Sequence, residues 1–96
     1  MKMFVLMYGG PTPDRVSGIL ERHGIHEYTT FTGGHGSGRT GKREGSRAWP
    51  GETTMVMSIV PSDHADAIAA ALEQEAAALP SGERLHLAVL PTDRFF

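Results

Sequence analysis

The residue types best suited to bind a charged ligand lie in one glycine-rich, basic segment near the middle of the chain. Its centre reads Gly-Ser-Gly-Arg-Thr-Gly-Lys-Arg over residues 36–43. This spacing matches a G-x-G-x-x-G pattern and also a G-x-x-x-x-G-K phosphate-binding pattern without its final Ser or Thr. Both motifs need a helix that begins at the glycines, and residues 44–51 do not predict one. Glycine amides beside Arg39 and Lys42 can still form a concave anion site without a helix.

The same segment ends on Arg47-Ala48-Trp49-Pro50-Gly51-Glu52, which offers two further candidates for ligand binding. Trp49 is the only tryptophan, and it either anchors the segment to the body of the protein or stacks on a ligand. Arg47 either pairs with Glu52 or holds a carboxylate or phosphate. The sequence leaves both choices open, so Arg47 and Trp49 are kept as candidate ligand-binding residues.

Metal ligation is a weaker alternative. The Met1/Met3 and Met55/Met57 pairs have M-x-M spacing that soft copper could use, but at strand alternation methionines are typical core residues. A metal site needs three or four converging ligands, and the sequence shows at most pairs, so we predict neither a metal ligand nor a resident cofactor. The histidines are His23, His26, His35, His64 and His86.

Enzyme chemistry has little support in the residue pattern. No Ser, His and Asp stand at a spacing typical of a nucleophilic triad. The chain contains no asparagine, which argues against an acylphosphatase-type site. We therefore predict no catalytic residue, and a small cofactor-independent ferredoxin-like enzyme stays as a second alternative.

Two similar halves flank the glycine-rich segment, and each reads strand, helix, strand. Thr12 and Ser62 are predicted helix caps, and Gly24 is expected to end the first helix. The order βαββαβ predicts an α+β ferredoxin-like sandwich, with a four-stranded antiparallel sheet and two helices on one face. The predicted strands are Lys2 to Tyr8, Ile25 to Thr32, Thr53 to Val60 and Leu85 to Leu90, and the predicted helices cover 13–23 and 62–79.

The segment 33–52 then becomes the connection between the second and third strands. Seven of the twelve glycines lie in it, and it has almost no apolar residues. Such a composition does not bury enough surface to offset its ordering entropy, so we expect a long flexible loop. Loops of this length inside compact domains are usually functional or disordered.

Several predicted strands are apolar on both faces, although two helices can cover only one. In the first strand Phe4, Leu6 and Tyr8 alternate with Met3, Val5 and Met7. A monomer would leave a large apolar sheet face in water. An oligomer in which the open faces pack together is therefore expected.

The composition describes one soluble domain over residues 1–96, with 40% hydrophobic and 21% charged residues and a net charge of −2. The absence of cysteine excludes a disulfide framework, a thiolate zinc site and a cysteine nucleophile. The net charge argues against nucleic acid as the main partner, because phosphate binding needs a basic excess. The apolar runs of the chain are too short to span a membrane, so we expect a cytoplasmic protein without membrane insertion.

Size, element order and the position of the long loop resemble the PII-like signalling family, which includes the nitrogen-regulatory PII proteins. The residues that carry the resemblance are Gly36-Ser37-Gly38-Arg39-Thr40, similar to the G-F-G-R-Q at the start of the PII T-loop, together with residues 45–52. The ion-tolerance protein CutA shares the architecture, and a CutA-like metal-binding protein is the first alternative.

The resemblance implies a non-enzymatic homotrimer with its sheets facing inward. A small anionic effector, such as a nucleotide, would bind in clefts between subunits, and the mobile loop would regulate a protein partner. Carried over by position, the phosphate side of the cleft would be lined by Gly36, Gly38, Arg39 and Thr40. The turn before the last strand of the neighbouring subunit would contribute Arg84.

Overall fold

The computed structural model describes residues 1–38, 41–43 and 52–96, of which 36–38 and 41–43 are considered as backbone only. Four strands form one antiparallel sheet in the order β2-β5-β1-β6, and a separate two-stranded hairpin pairs β3 with β4. This topology confirms the predicted α+β ferredoxin-like sandwich. The elements are β1 (Lys2–Gly9), α1 (Asp14–Arg22), β2 (Thr29–Gly34), β3 (Gly36–Gly38), β4 (Gly41–Arg43), β5 (Thr53–Val60), α2 (Ser62–Ala77) and β6 (Arg84–Pro91).

One face of the sheet carries the core, because both helices pack on it. Phe4, Leu6 and Tyr8 of β1 are each at most 1% exposed. The helices contribute one apolar stripe each to the same cluster, as the 3.6-residue period requires. The other members of the cluster are Val16, Ile19, Leu20, Ile25, Val56, Val60, Ala65, Leu72 and Leu85.

The opposite face of the sheet, here called the open face, is apolar, and neither helix packs on it. On β1 it carries Met3, Val5 and Met7, which alternate with the core residues. Met7 is 37% exposed and its cross-strand partner Met55 is 38% exposed. The two-sided apolar strands expected from the sequence are therefore present.

The first helix ends as predicted at Gly24, which has a positive φ of 83°. The amide of Gly24 donates to the carbonyl of Glu21, and the amide of Ile25 donates to that of Leu20. This is a Schellman motif, in which glycine supplies the left-handed residue and the next side chain returns to the core. Ile25 is accordingly buried.

The predicted caps at the helix N-termini are wrong. Neither helix has a side-chain cap, and the residues at the cap positions are Pro13 for α1 and Pro61 for α2. Ser62 is already inside α2, where its Oγ accepts a hydrogen bond of 2.6 Å from the amino group of Met1. Thr12 contributes its backbone carbonyl, which accepts from the amide of Arg15 at 3.0 Å.

The second strand is displaced from its predicted range of 25–32. It begins at Thr29, because Ile25 belongs to the helix-ending motif, and it continues through Gly34, which pairs with Thr53. Gly33 and Gly34, predicted to lie in the loop, thus belong to the sheet. The predicted loop also contains the hairpin of β3 and β4, whereas residues 39–40 and 44–51 lie outside the described residues.

Candidate functional site

A single row of paired residues crosses the sheet at the end where β1 stops. Gly34 of β2 pairs with Thr53 of β5, Thr53 pairs with Gly9 of β1, and Gly9 pairs with Arg84 of β6. We call this the Gly9 end of the sheet. The connection between β2 and β5, which includes the glycine-rich segment, leaves and rejoins the sheet there.

Two glycines at this end bring other groups close to the backbone. The guanidinium of Arg84 lies over Gly9, where its Nη2 is 3.6 Å from the position that a Cβ would occupy. At Gly10 a Cβ would lie 2.7 Å from Cζ of Tyr8 and 2.9 Å from Cγ of Glu83. The turn after β1 therefore packs closely because these two positions have no side chain.

A partly buried ionic network joins this turn to the turn that precedes β6. Nε of Arg15 donates to Oε1 of Glu83 at 2.7 Å, and its Nη2 donates to Oε2 at 3.0 Å. The Tyr8 hydroxyl donates to Oε1 of Glu83 at 2.7 Å and accepts from the amide of Thr12 at 3.0 Å. The Glu83 side chain is only 5% exposed. Because both of its oxygens accept hydrogen bonds from Arg15, the pair holds the start of β6 against α1.

The same contacts set the protonation states of the network. Hydrogen bonds from Arg15, and then from Tyr8, lower the pKa of Glu83 and keep it ionised. Burial, followed by the hydrogen bond to Glu83, raises the pKa of Tyr8 and keeps its hydroxyl protonated. The network is thus a stable donor–acceptor arrangement at neutral pH, and it positions the residue that follows it, Arg84.

The candidate ligand-binding residues are distributed as follows. Gly36 and Gly38 lie in β3, two and four residues beyond the end of β2, and Arg84 is the first residue of β6. The end of β2 that leads to β3 and the start of β6 both lie at the Gly9 end, but in one chain β5 and β1 separate them. Three inter-strand steps put Gly34 and Arg84 about 14 Å apart. Arg39, Thr40, Arg47 and Trp49 lie outside the described residues.

Three of the five histidines, His23, His26 and His64, belong to another part of the molecule. Nε2 of His23 lies 2.8 Å from Oε2 of Glu75, and Nη2 of Arg22 donates to Oε1 at 3.0 Å. These hydrogen bonds, that of His23 first, lower the pKa of Glu75. His23, His26 and His64 line one open cleft of about 680 Å³. Within residues 1–38, 41–43 and 52–96, no three His, Asp or Glu side chains converge to hold a metal ion.

Sequence reasoning missed the network of Tyr8, Arg15 and Glu83. Tyr8 was expected only as a residue on one apolar face of the first strand, and Arg15 and Glu83 are 68 positions apart. Periodicity along the chain carries no signal for such a pair. The available hint was local, since Gly9-Gly10-Pro11 and Pro80-Ser81-Gly82 both mark turns that could meet at one sheet end.

Comparison with known proteins agrees with this architecture. The nitrogen regulatory protein P-II family matches residues 1–84, and the chain belongs to this family. No curated protein sequence matches it significantly. No helix in the described part of the chain is long and apolar enough to cross a membrane.

Solved structures similar to this chain include two described as CPII, a nitrogen regulatory PII-like protein of Thiomonas intermedia. One, bound to ADP, AMP and bicarbonate, is 16% identical with a TM-score of 0.63, covering 99% of this chain and 94% of that one. Another, bound to ADP and bicarbonate, is 18% identical with a TM-score of 0.66, covering 97% and 88%. A DUF3240 family protein of Shewanella baltica is 13% identical with a TM-score of 0.67, covering 99% and 93%. At these identities the likeness shows the fold.

Proposed function

We propose that this protein is a non-enzymatic, cytoplasmic regulator of the P-II type. It binds a small anion, namely an adenine nucleotide or bicarbonate, in clefts between the subunits of a homotrimer. The observation that carries the proposal is the row at the Gly9 end, where the glycine-rich segment leaves and rejoins the sheet that also presents Arg84. Family membership supplies the regulatory class, and the ligands of the similar CPII structures supply the class of effector.

Arg84 is the residue on which the anion site depends most directly. A guanidinium offers paired donors that match a phosphate, a carboxylate or bicarbonate. The preceding residue, Glu83, is held by Arg15 and Tyr8, so the backbone at Arg84 is fixed before any ligand arrives. A donor held in this way loses less conformational entropy on binding.

The distance between Arg84 and the start of the glycine-rich segment favours an anion site between subunits. Within one chain, β5 and β1 separate Arg84 from the start of the glycine-rich segment by about 14 Å. A bicarbonate ion or a single phosphate group is much smaller than this separation between the two backbone positions. We therefore propose that Gly36, Gly38, Arg39 and Thr40 of one subunit face Arg84 of its neighbour, with Arg47 and Trp49 completing the ligand-binding set.

The open face supplies the reason for assembly. Its exposed apolar side chains include Met7, Phe31, Met55 and Leu90. Because burial of apolar surface contributes about 25 cal/mol per Å², packing such faces together is a strong driving force. In the proposed homotrimer the three open faces meet in the interior.

The glycine-rich segment is the proposed link to a protein partner. It contains Arg39, Lys42, Arg43 and Arg47 against Glu44 and Glu52, so an anion at its base would neutralise part of its positive charge. A ligand that binds one conformation of the segment more tightly shifts the population toward that conformation. The ordered segment would then contact the partner.

The test is calorimetric binding of ATP, ADP, AMP and bicarbonate to the wild type and to Arg84→Ala. Losing the hydrogen bonds to a charged ligand costs about 1.5–3 kcal/mol of binding free energy, which weakens the affinity by about 10- to 150-fold. Arg94→Ala is the matched control, because Arg94 follows β6 at the opposite end of the sheet and contacts Phe96. Light scattering on both variants checks that assembly is unchanged.

Two results would overturn this proposal. One is that none of the four anions binds the wild type at millimolar concentration. The other is that Arg94→Ala weakens binding as much as Arg84→Ala, since the anion would then not lie at the Gly9 end.

A further inference from the structure

Two opposite charges contact the same short stretch of backbone at the Gly9 end. The guanidinium of Arg84 lies over Gly9, and Cγ of Glu83 is 2.9 Å from the position that a Cβ would occupy at Gly10. The Cα atoms of consecutive residues are about 3.8 Å apart. Both glycines are buried, so protein rather than bulk water separates the two charges. The charge of Glu83 therefore acts on any ligand that binds at Arg84.

Arg15 neutralises the Glu83 carboxylate from the side of α1. Its Nε donates to Oε1 at 2.7 Å and its Nη2 donates to Oε2 at 3.0 Å, so one guanidinium holds both carboxylate oxygens. The Tyr8 hydroxyl adds a third hydrogen bond without adding charge. Because the Glu83 side chain is only 5% exposed, water compensates little of its charge, and the compensation comes from Arg15.

An anion bound at Arg84 needs this compensation. A carboxylate that is not neutralised repels such a ligand, and it can also compete with the ligand for the guanidinium. At an effective dielectric constant of about 20, a unit charge about 10 Å away changes the affinity for a monovalent anion roughly tenfold. Tight binding at Arg84 therefore requires a neutralised Glu83.

We propose that Arg15 is a positioning residue of the anion site, which acts through Glu83 and does not touch the ligand. It holds the Glu83 carboxylate against α1 and balances its charge, so that an anion at Arg84 is not repelled. This inference rests on the proposed function, because it assigns a further residue to the same anion site.

A second arginine–glutamate pair in the same helix provides the matched control. Nη2 of Arg22 donates to Oε1 of Glu75 at 3.0 Å and joins α1 to α2. Arg22 is seven residues beyond Arg15, which puts it about 10 Å further along α1 and away from the Gly9 end. Loss of Arg22 removes the same charge from the same helix and leaves the partners of Glu83 unchanged.

The experiment is calorimetric titration of the full-length protein with ADP and with bicarbonate. Measured at about pH 8, Arg15→Met is expected to weaken both affinities roughly tenfold, because Glu83 is then ionised and uncompensated. The double variant Arg15→Met/Glu83→Gln removes both charges and is expected to return to within about threefold of the wild type. Arg22→Met should bind as the wild type does. Circular dichroism checks that each variant is folded.

Glu83→Gln alone separates a charge effect from mechanical support of the turn, and it does not require Arg15→Met to fold. The amide oxygen of glutamine still accepts a hydrogen bond, whereas the positive charge of Arg15 is no longer compensated. Anion affinity is therefore expected to rise by about threefold or more. If the network only supported the turn, the same variant would weaken binding.

Four results would overturn the inference: unchanged affinity of Arg15→Met, a double variant as weak as Arg15→Met, an equal loss in Arg22→Met, or Glu83→Gln binding no more tightly than the wild type. In each of these cases the wild type still binds the anion and Arg84→Ala still weakens binding, so the proposed function is retained. Absence of anion binding to the wild type is the separate failure of the proposed function.

Discussion

The two faces of the sheet have similar strand composition but different surroundings. On β1, Leu6 is fully buried beneath the helices, whereas Met7, the next residue, is 37% exposed on the open face. Both sides of the strand are apolar, and only one is covered by the two helices. The difference shows that apolar strands indicate surface to be buried, but not whether the same chain or another copy buries it.

The same division separates two consecutive charged residues. Glu83 faces the helix side, where Arg15 and Tyr8 hold it with 5% of its side chain exposed. Arg84, at the first position of β6, lies over Gly9 on the open side. Glu83 therefore holds the turn before β6 in place, and this turn positions Arg84, the next residue, on the open face.

The largest effect is expected from Leu6→Ala on the covered face. Removing a fully buried leucine leaves a cavity and lowers the free energy of unfolding by about 2–5 kcal/mol. Urea unfolding monitored by circular dichroism measures the loss. Leu90→Ala makes the same chemical change on the open face, where Leu90 is 43% exposed within the chain, so it should lower the stability of the single chain less and should act mainly on assembly. Equal losses would show that the two faces do not differ in packing.

Val5→Glu tests the open face itself. A carboxylate at the centre of an apolar interface lacks a partner, and a penalty of about 3 kcal/mol weakens association by more than about 100-fold. Light scattering should then show 10.4 kDa monomers with retained helical circular dichroism. Ala67→Glu on the exposed side of α2 is the control and should leave assembly unchanged. An intact oligomer of Val5→Glu would contradict burial of the open face.

Gly10→Ala tests how tightly the helix-covered side of the sheet is packed at the Gly9 end. The added methyl group would press on Tyr8 and Glu83, and such overpacking costs about 1–3 kcal/mol. Gly18→Ala is the opposite control, since nothing lies within 4 Å of its Cβ position in α1. There alanine should stabilise the protein by about 0.5–1 kcal/mol. Thermal melts of both variants would show shifts of opposite sign, and shifts of the same sign would contradict the close packing at Gly10.

The smallest expected effect is the pH dependence that Glu83 contributes. Its pKa is lowered in the folded protein, so its contribution is complete above the unfolded value of about 4.3 and is lost as the pH falls through the folded value. Glu83→Gln should melt lower than the wild type at pH 7, and the difference should narrow below about pH 4. Glu75→Gln should show a weaker form of the same trend, because the Glu75 side chain is 25% exposed. A difference that stays constant down to pH 3 would contradict the ionised network.

Much of the fold follows from local sequence signals. The strands at Thr53–Val60 and Lys2–Gly9 carry unbroken alternation, so their bounds were predicted to within one residue. The helix end at Gly24 was also confirmed, because a left-handed residue there is a local requirement. One error involves a tertiary contact, at Ser62, whose hydroxyl binds the amino group of Met1. Another is local, since the helix-ending motif takes Ile25 out of the second strand.

The candidate site was less accessible to sequence reasoning. Arg84 was identified through family resemblance, and the structure describes it at the Gly9 end, where β2 also ends at Gly34. The assignment of Gly36, Gly38, Arg39, Thr40, Arg47 and Trp49 as ligand-binding residues stays a prediction. Glu83 was missed, because its role depends on partners that are 68 and 75 positions away.

The sequence by itself determined the alternation of strands and helices, the two-sided apolar strands and the concentration of glycine and basic residues in one segment. These properties are periodic or compositional, and each is visible within a few neighbouring residues. Only the tertiary structure decided the register. Register aligns Gly34, Thr53, Gly9 and Arg84 at one sheet end and puts Met55, Met7 and His86 side by side. A shift by one residue would send every side chain to the other face, so packing of the whole core is needed to fix it.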